Sequence, residues 1–407
     1  MACRRVPTTH SFNKKGLRPP LMRVLLITPY SPLEQHDHAA SDIALPLVQA
    51  LAPFMDLHVY APGQRNGSLK SWRDGDVTYH SGSPVPQTRL NRLGIYPYAA
   101  RESWSRQSTR EVNTLVGDLR PDILHAEYFQ AAEPLLGSKV LVPTSITLHD
   151  VTVDAPVSPR SEISRRSYWL QRLERVKTKR TMGAIVSKID ALFVRSENEK
   201  RKVRRAGGIV EVAPVGLNFQ TEGWLGDRPH VAAFGGAMWR WENEATADYL
   251  ARQVMPLVRQ IVPDAELRIF GARPSASVRA LEGMHGTTVV GEVADYDDEF
   301  RRAGVTLAPT MVDPGLLMKA IRAMAIGCPV VLNSASSSPI VGLKPGVHAL
   351  VGDSPSEFAS HVAELMQDRG RANQLGQAAL GLVTDQFSWE RAVEVYRRVF
   401  EKLIRDQ

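Results

Sequence analysis

The chain has 407 residues, of which 43% are hydrophobic and 23% charged, so it is expected to be a soluble globular protein with two or three domains. Two cysteines, Cys3 and Cys328, exclude a disulfide framework and indicate a reducing cytosol. A net charge of +7 and a pI of about 9.4 favour an anionic partner: a nucleotide, a lipid headgroup or nucleic acid. No apolar run reaches the roughly 18 residues that a membrane span needs.

Residues 1–21 are basic and lack the apolar segment of a signal peptide, so we expect a disordered extension, with Met22 as an alternative start of the fold. The run from Arg23 to Thr28 is typical of a strand covered on both faces. Strands and helices then alternate, which predicts a parallel α/β sheet. The predicted strands are 56–61, 122–126, 145–149, 191–195 and 210–213, and the predicted helices are 38–52, 106–118, 163–188 and 196–206.

The same pattern restarts at His230. The predicted strands of this half are 230–236, 266–272, 287–293, 305–309 and 329–333, with a long helix over 242–261. Pro and Gly residues concentrate in 214–229, which predicts a linker between two Rossmann-like domains, 22–217 and 218–387. The last segment, 388–407, contains an amphipathic helix. Its apolar positions are Trp389, Val393, Tyr396, Val399, Phe400 and Leu403.

Residues 303–333 have the size and order of one parallel βαβ unit. A turn around Asp313, Pro314 and Gly315 precedes a predicted helix from Leu316 to Ile326. The free N–H groups at a helix start, together with Lys319, suit a phosphate. A lysine exposed on the surface of a helix is the alternative interpretation.

Polar residues also follow two strands of the first half. His36, Asp37 and His38 replace the glycine-rich fingerprint of dinucleotide-binding proteins. They fit an exposed turn or a contact with substrate hydroxyls or phosphate; a metal site is a third option, for which the spacing provides no fourth ligand. His149 and Asp150 end a strand, where open α/β sheets bind ligands, although an isolated His-Asp pair is usually structural.

Two glycines end the first strand of the second half. Gly235 and Gly236 permit close approach of a ligand to the backbone, and Arg240 follows them. The planar guanidinium suits a diphosphate, with an ordinary turn and a solvent-facing arginine as the alternative.

The basic segments 164–180 and 201–205 fit solvated helix faces better than a nucleic-acid site, because stacking aromatic residues are scarce. Basic amphipathic helices also bind anionic membranes, so peripheral contact at the inner face of a membrane stays open for the first segment.

These features resemble the GT-B glycosyltransferases of group 1, the retaining family 4 type. The resemblance covers most of 22–400 and is carried in the second half by HVAAFGGAMWRWENEATADYL, PDAELRIFGARP, VVGEVADYDDEFRRAGVTLAP, KAIRAMAIGCPVVLN and QFSWE. In the first half RVLLITPYSP, RPDILHAEY, TSITLHD and DALFVRSENE resemble the family's acceptor domain. The resemblance implies two Rossmann-like domains facing across a cleft, an N-terminal acceptor domain and a C-terminal nucleotide-sugar domain. It also implies that the C-terminal helix of 388–407 crosses back and completes the first domain.

The resemblance also implies a set of site residues. His149, Arg240 and Lys319 would be catalytic. The implied donor site comprises Gly235, Gly236, Arg240, Asn243, Gly271, Val293, Asp313, Gly315, Leu316, Leu317, Lys319 and Arg322, and the implied acceptor site comprises His36, Asp37, His38, His149 and Asp150. The family's ribose-binding glutamate is replaced by Arg322, which cannot accept hydrogen bonds from hydroxyls, and its second glutamate falls at Pro314.

The function that these features predict is transfer of a sugar from a nucleotide-diphosphate sugar to an acceptor, by a hexosyltransferase-type enzyme. The resemblance implies retention of anomeric configuration, no metal and no cofactor beyond the nucleotide-sugar co-substrate. An inactive GT-B-like subunit that binds an enzyme or a membrane is the alternative, favoured by Arg322 and Pro314. A nicotinamide-dependent oxidoreductase is disfavoured because the phosphate-binding fingerprint is missing.

Overall fold

The structure is a computed structural model that describes residues 21–33, 40–63, 69–86, 94–137, 141–149, 165–203, 208–217, 222–311 and 316–407. These residues form two separate β-sheets flanked by helices. The two sheets follow one another along the chain, and the last helix returns to the first sheet.

The first sheet has eight strands in the order β3-β4-β2-β1-β5-β6-β7-β8. The strands are β1 Arg23–Ile27, β2 Asp56–Pro62, β3 Lys70–Asp74, β4 Val77–Gly82, β5 Ile123–Glu127, β6 Thr144–Leu148, β7 Ala191–Val194 and β8 Ile209–Val212. The helices are α1 Ala40–Leu51, α2 Tyr98–Ser103, α3 Arg106–Leu119, α4 Arg165–Lys188 and α5 Glu197–Lys202. Strand β1 is central and pairs in parallel with β2 and β5, as its unbroken apolar sequence predicts.

The first sheet is parallel, as predicted, except at one edge where the sequence pattern predicted no strand. Strand β3 pairs antiparallel with β4 through a tight turn at Gly75, whose φ is +58°. The Asp-Gly dipeptide there is a hairpin signal that the strand-helix alternation overlooked. All of β3 is exposed, so it carries no buried apolar pattern by which the sequence could identify it.

The second sheet has six strands in the order β11-β10-β9-β12-β13-β14, and every pair is parallel. The strands are β9 Arg228–Gly235, β10 Glu266–Phe270, β11 Thr287–Gly291, β12 Ala303–Leu307, β13 Val330–Leu332 and β14 Leu350–Val351. The helices are α6 Trp241–Tyr249, α7 Met255–Ile261, α8 Ala276–Arg279, α9 Tyr296–Arg302, α10 Met318–Ile326, α11 Ser334–Ser337, α12 Pro355–Gln367 and α13 Arg369–Gln386. The chain leaves β9 toward β10 and returns on its other side with β12, so a topological switch point lies at the carboxyl end of β9.

The single helix predicted over 242–261 is interrupted. A π-helical segment, Leu250–Val254, separates α6 from α7. Pro256 follows at the start of α7, and a proline cannot donate the backbone hydrogen bond that a continuous α-helix requires.

The last helix, α14 Trp389–Arg405, packs against the first sheet. Its predicted amphipathic character is confirmed: Val393, Tyr396, Val399, Phe400 and Leu403 are buried. Trp389 covers Gly216, where a Cβ atom would lie 2.1 Å from the indole ring. The helix therefore completes the hydrophobic core of the first sheet, whose strands all lie between Arg23 and Val212 in the sequence. The exact domain boundaries stay a prediction.

Candidate active site

Lys319 lies at the start of α10, close to the end of β9. Its ammonium group donates a hydrogen bond to Oδ1 of Asn243 at 2.7 Å and lies 4.3 Å from the centroid of the Phe234 ring. Burial, together with the positive charge of Arg240, lowers the pKa of Lys319 to about 7. The amine has no carboxylate within ion-pair distance among the described residues, so an anion is the ligand that would restore its full charge.

The glycine turns of this half hold the strand ends together. Gly271 has a φ of +132°, and a Cβ atom there would lie 1.8 Å from the carbonyl oxygen of Gly236. Gly235 faces the hydroxyl of Tyr296, and Gly236 faces the side-chain amide of Asn243, each within 3 Å of a built Cβ. These glycines are therefore required by contacts within the protein as well as by any ligand.

Two further donors lie beside Lys319. Arg240 occupies the N-cap position of α6 without a side-chain capping bond, and its half-exposed guanidinium is 3.3 Å from Glu242. Helix α10 begins after Leu317, which gives its first turn no side-chain cap. The N–H groups of that turn and the two cations form a positively polarised corner at the sheet edge, which suits a diphosphate.

Arg322 has an acidic partner at the ribose position that the resemblance assigns. Both Nε and one terminal nitrogen of Arg322 lie 2.9 Å from Oδ1 of Asp297, at the start of α9. The guanidinium also lies 5.1 Å from the centroid of the Tyr296 ring. The family's glutamate is absent at position 322, but Asp297 of α9 places a carboxylate beside Arg322. This part of the site is therefore not purely cationic.

Three further residues that the resemblance assigns to the donor site pack against the core of the second half. Val293 lies between β11 and α9, and Leu316 and Leu317 precede α10; all three are partly buried against the core under the sheet edge. Asp313 and Gly315 lie outside the described residues, as do Pro314, His36, Asp37, His38 and Asp150.

His149 belongs to a second cluster at the carboxyl edge of the first sheet. It follows β6, while Glu127 ends β5 and Arg195 follows β7, so three neighbouring strands bring these side chains together. Nε2 of His149 lies 2.6 Å from Oε2 of Glu127 and 3.1 Å from Arg195. Arg195 is 3.6 Å from the same carboxylate oxygen.

The charges in this cluster fix the state of His149. Burial alone would raise the pKa of Glu127, but hydrogen bonds from His125 and His149 and the charge of Arg195 hold it well below its usual range. Burial and Arg195 lower the pKa of His149 to about 4. Nε2 lies between a carboxylate that only accepts hydrogen bonds, at 2.6 Å, and a guanidinium nitrogen that only donates, at 3.1 Å. We assign the proton of the neutral imidazole to Nε2 because the contact with Glu127 is the shorter one. Nδ1 is then the ring nitrogen that can accept a hydrogen bond from a substrate hydroxyl.

Packing fixes the ring of His149 as well. It stacks on Tyr128, with 3.9 Å between the ring centroids and 13° between the planes. The backbone of Tyr128 has a φ of +72°, which is rare for a residue with a side chain and is stored strain beside this cluster. Tyr396 of α14 adds a bond to Glu127 from the opposite end of the chain, at 3.1 Å.

Sequence reasoning missed Glu127, Arg195, Tyr128 and Tyr396. Each follows or ends a strand or lies on an amphipathic helix, and nothing in the local sequence pairs them. A strand-end position was the available signal for Glu127 and Arg195. Within the described part of the chain, no three His, Cys, Asp or Glu side chains are arranged to hold a metal ion.

Comparison with solved structures identifies the fold. A sucrose-phosphate synthase of Thermosynechococcus elongatus is 15% identical, with a TM-score of 0.65 over 95% of this chain and 100% of its own. The chain has the GT-B fold. An α,α-trehalose-phosphate synthase of Burkholderia xenovorans is 12% identical, with a TM-score of 0.60 over 94% of this chain and 99% of its own. HepE of Anabaena in complex with UDP is also 12% identical, with a TM-score of 0.60 over 94% of this chain and 100% of its own.

One family model matches part of the second half of the sequence. Residues 229–368 match the model of the family described as glycosyl transferases group 1. This segment contains Lys319, Arg240, Asn243 and the glycine turns described above. A sequence comparison with curated proteins gives no match. No described helix is long and apolar enough to cross a bilayer.

Proposed function

We propose that this protein transfers a sugar from a nucleotide-diphosphate sugar to an acceptor, with retention of anomeric configuration. One observation carries the proposal: Lys319, Arg240 and the uncapped start of α10 form an anion-binding corner inside the segment that matches the group 1 glycosyltransferases. The UDP complex of HepE, which has the same fold, supports a nucleoside diphosphate as the anion.

The chemistry assigned to this corner is stabilisation of the leaving group. Breaking the bond between the sugar and the phosphate builds negative charge on the diphosphate, and donors fixed in advance lower that barrier most effectively. In our proposal these cations and N–H groups meet the charge, with no metal and no cofactor beyond the nucleotide sugar. Closure of the two domains would exclude water and limit hydrolysis of the donor.

His149 is assigned to the acceptor side of the cleft. Its neutral imidazole, with the proton held on Nε2 by Glu127, leaves Nδ1 as an acceptor for a sugar hydroxyl. A group fixed on three sides before substrate arrives orients a hydroxyl with little further loss of entropy. The acceptor class stays open among a glycan, a lipid-linked glycan and a small molecule.

The second candidate is a GT-B-like subunit without transferase activity. Arg322 favours it, because a guanidinium paired with Asp297 occupies the position that the resemblance assigns to ribose recognition. Such a subunit would bind a partner enzyme or a membrane. We place either form in the cytosol, with peripheral contact at the inner face of a membrane.

One experiment separates the two candidates. The purified protein is incubated with a panel of nucleotide-diphosphate sugars, and donor hydrolysis and the shift in melting temperature are both measured. Hydrolysis of one donor, together with thermal protection by its nucleoside diphosphate and unaffected by EDTA, is the outcome expected for the transferase. Protection without turnover in the presence of acceptors supports the inactive subunit, and no response to any donor contradicts the anion-binding corner.

A further inference from the structure

Helix α4 carries an apolar stripe that the fold does not use. Its C-terminal half is anchored in the first domain by Met182, Ile185 and the adjoining Ile189, all buried. Its N-terminal half exposes Trp169, Leu173 and Val176, each about half exposed, at the spacing of one helix face. Leu170 beside them is 38% exposed. Four large apolar side chains on one solvent-facing half-helix are unusual for a protein surface.

Cations flank the stripe. Arg172, Lys179 and Arg180 lie on the exposed side of the same helix, within one turn of a stripe residue. The guanidinium of Arg172 also lies over the Trp169 ring, 5.7 Å from its centroid. Segment 165–180 contains seven Lys and Arg residues and one acid, Glu174.

Glu174 does not neutralise this face. One carboxylate oxygen accepts from the backbone N–H of Tyr98 at 2.6 Å and the other from the buried Lys177 at 2.9 Å. The only acid in the segment is therefore engaged on the side of the helix that packs on the protein. The outer face keeps an apolar centre with positive borders.

We propose that this face of α4 docks on an anionic lipid bilayer. An apolar stripe of Trp, Leu and Val inserts at the boundary of headgroups and acyl chains, while Arg and Lys at its borders contact lipid phosphates. Leu173 and Val176 at the centre neither stack on bases nor donate hydrogen bonds, which disfavours nucleic acid. Two copies of the face would place like charges against each other, which disfavours a self-dimer through this helix. The surface is independent of donor chemistry and would serve either candidate function.

The test is co-sedimentation of the full chain with vesicles of phosphatidylcholine alone or of equal parts phosphatidylcholine and phosphatidylglycerol. Binding to the anionic vesicles only, weakened by salt, is expected. Replacing Trp169 and Leu173 by Ser should lower the partition coefficient about tenfold or more, through loss of apolar insertion. The double reversal Arg172→Glu with Arg180→Glu should lower it about a hundredfold.

Matched controls come from exposed residues on other elements. Trp72→Ser on β3 removes a tryptophan of similar exposure, and Lys344→Glu with Arg405→Glu reverses two exposed cations. Both controls should bind as the unaltered protein does. The proposal is overturned if the unaltered protein ignores anionic vesicles at low salt, if binding is equal for both lipids, or if the α4 variants bind as well as the controls. A dimer that the Trp169 and Leu173 replacements dissociate would also overturn it.

Discussion

The hydroxyl of Tyr396 donates a hydrogen bond to Oε1 of Glu127 at 3.1 Å, and the other oxygen of that carboxylate lies 2.6 Å from His149. The last helix of the chain therefore contacts the group that fixes the tautomer of the candidate acceptor-site histidine. The two residues are 269 positions apart in sequence. This relationship makes α14 part of the architecture of the candidate acceptor site as well as of the core.

Removing the Tyr396 hydroxyl tests that relationship. Tyr396→Phe should lower the free energy of unfolding by roughly 2 kcal/mol, because a buried hydrogen bond to a charged group is lost. Tyr79→Phe is the control: that buried ring has no hydroxyl bond among the described contacts and should change stability by much less. Urea unfolding of both variants gives the comparison, and equal stabilities would remove Tyr396 from the network.

The proposed anion-binding corner depends on Lys319. Lys319→Ala should weaken binding of a nucleoside diphosphate by about 1–3 kcal/mol, as expected for loss of a charge-assisted contact. Lys344→Ala removes an exposed lysine from the same domain and should leave affinity unchanged. Isothermal titration calorimetry measures both, and an unchanged affinity for the Lys319 variant would exclude this residue from the site.

Donor binding should also depend on pH. The pKa of Lys319 is lowered to about 7 in the free protein, and a bound diphosphate would raise it again. Binding therefore takes up a proton above that pH, and affinity should fall by up to about tenfold for each further pH unit. Titrations in buffers of different ionisation enthalpy report the proton directly. In Lys319→Arg, whose guanidinium does not titrate in this range, the dependence should vanish; a dependence that persists would assign it to another group.

The turns after β9 and β10 are in close contact, so replacing Gly271 should cost more stability than replacing Gly75. Gly271→Ala would force a Cβ atom to 1.8 Å from the Gly236 carbonyl oxygen, so we expect a loss of about 3 kcal/mol or more. Gly75→Ala also requires a positive φ, but a Cβ there meets no atom within 4 Å, so only about 1–2 kcal/mol should be lost. Thermal unfolding of the pair decides: similar losses would mean that the β9 and β10 turns are not in tight contact.

Two buried histidines of the first sheet predict sensitivity to acid. Nδ1 of His58 lies 3.0 Å from Nε2 of His80, and burial lowers the pKa of His80 to about 4 and also lowers that of His58. Arg23 and Arg73 further disfavour a charged His58, while Asp56 favours it. The unfolded chain binds these protons first, so stability should fall as pH drops from 6.5 toward about 4.

Replacing His80 measures its share of this effect. In His80→Asn the slope of unfolding free energy against pH in that window should decrease by about 1.4 kcal/mol per pH unit, the value for one proton. The exposed His285 is the matched control, and His285→Asn should leave the slope unchanged. A slope that His80→Asn does not alter would place the acid sensitivity elsewhere.

The local sequence predicted most of the elements, their order and a parallel α/β architecture, because buried strands and amphipathic helices have periodicities that short windows contain. The GT-B fold was predicted only through the resemblance of longer segments to that class of glycosyltransferase. The local sequence also placed Lys319, Arg240 and His149 at strand ends and helix starts. The antiparallel edge strand β3 was not predicted, because an exposed strand has no pattern of buried apolar residues.

Only the tertiary structure decided which side chains contact one another in the two candidate site clusters. Strands β5, β6 and β7 are neighbours in the first sheet, so their ends bring together Glu127, His149 and Arg195. Tyr396 reaches this cluster because α14 packs back against the same sheet. Asp297 reaches Arg322 from a separate helix for the same reason. The pKa values of His149 and Lys319 follow from burial and from charges distant in sequence, and those interactions exist only once the strands have been ordered.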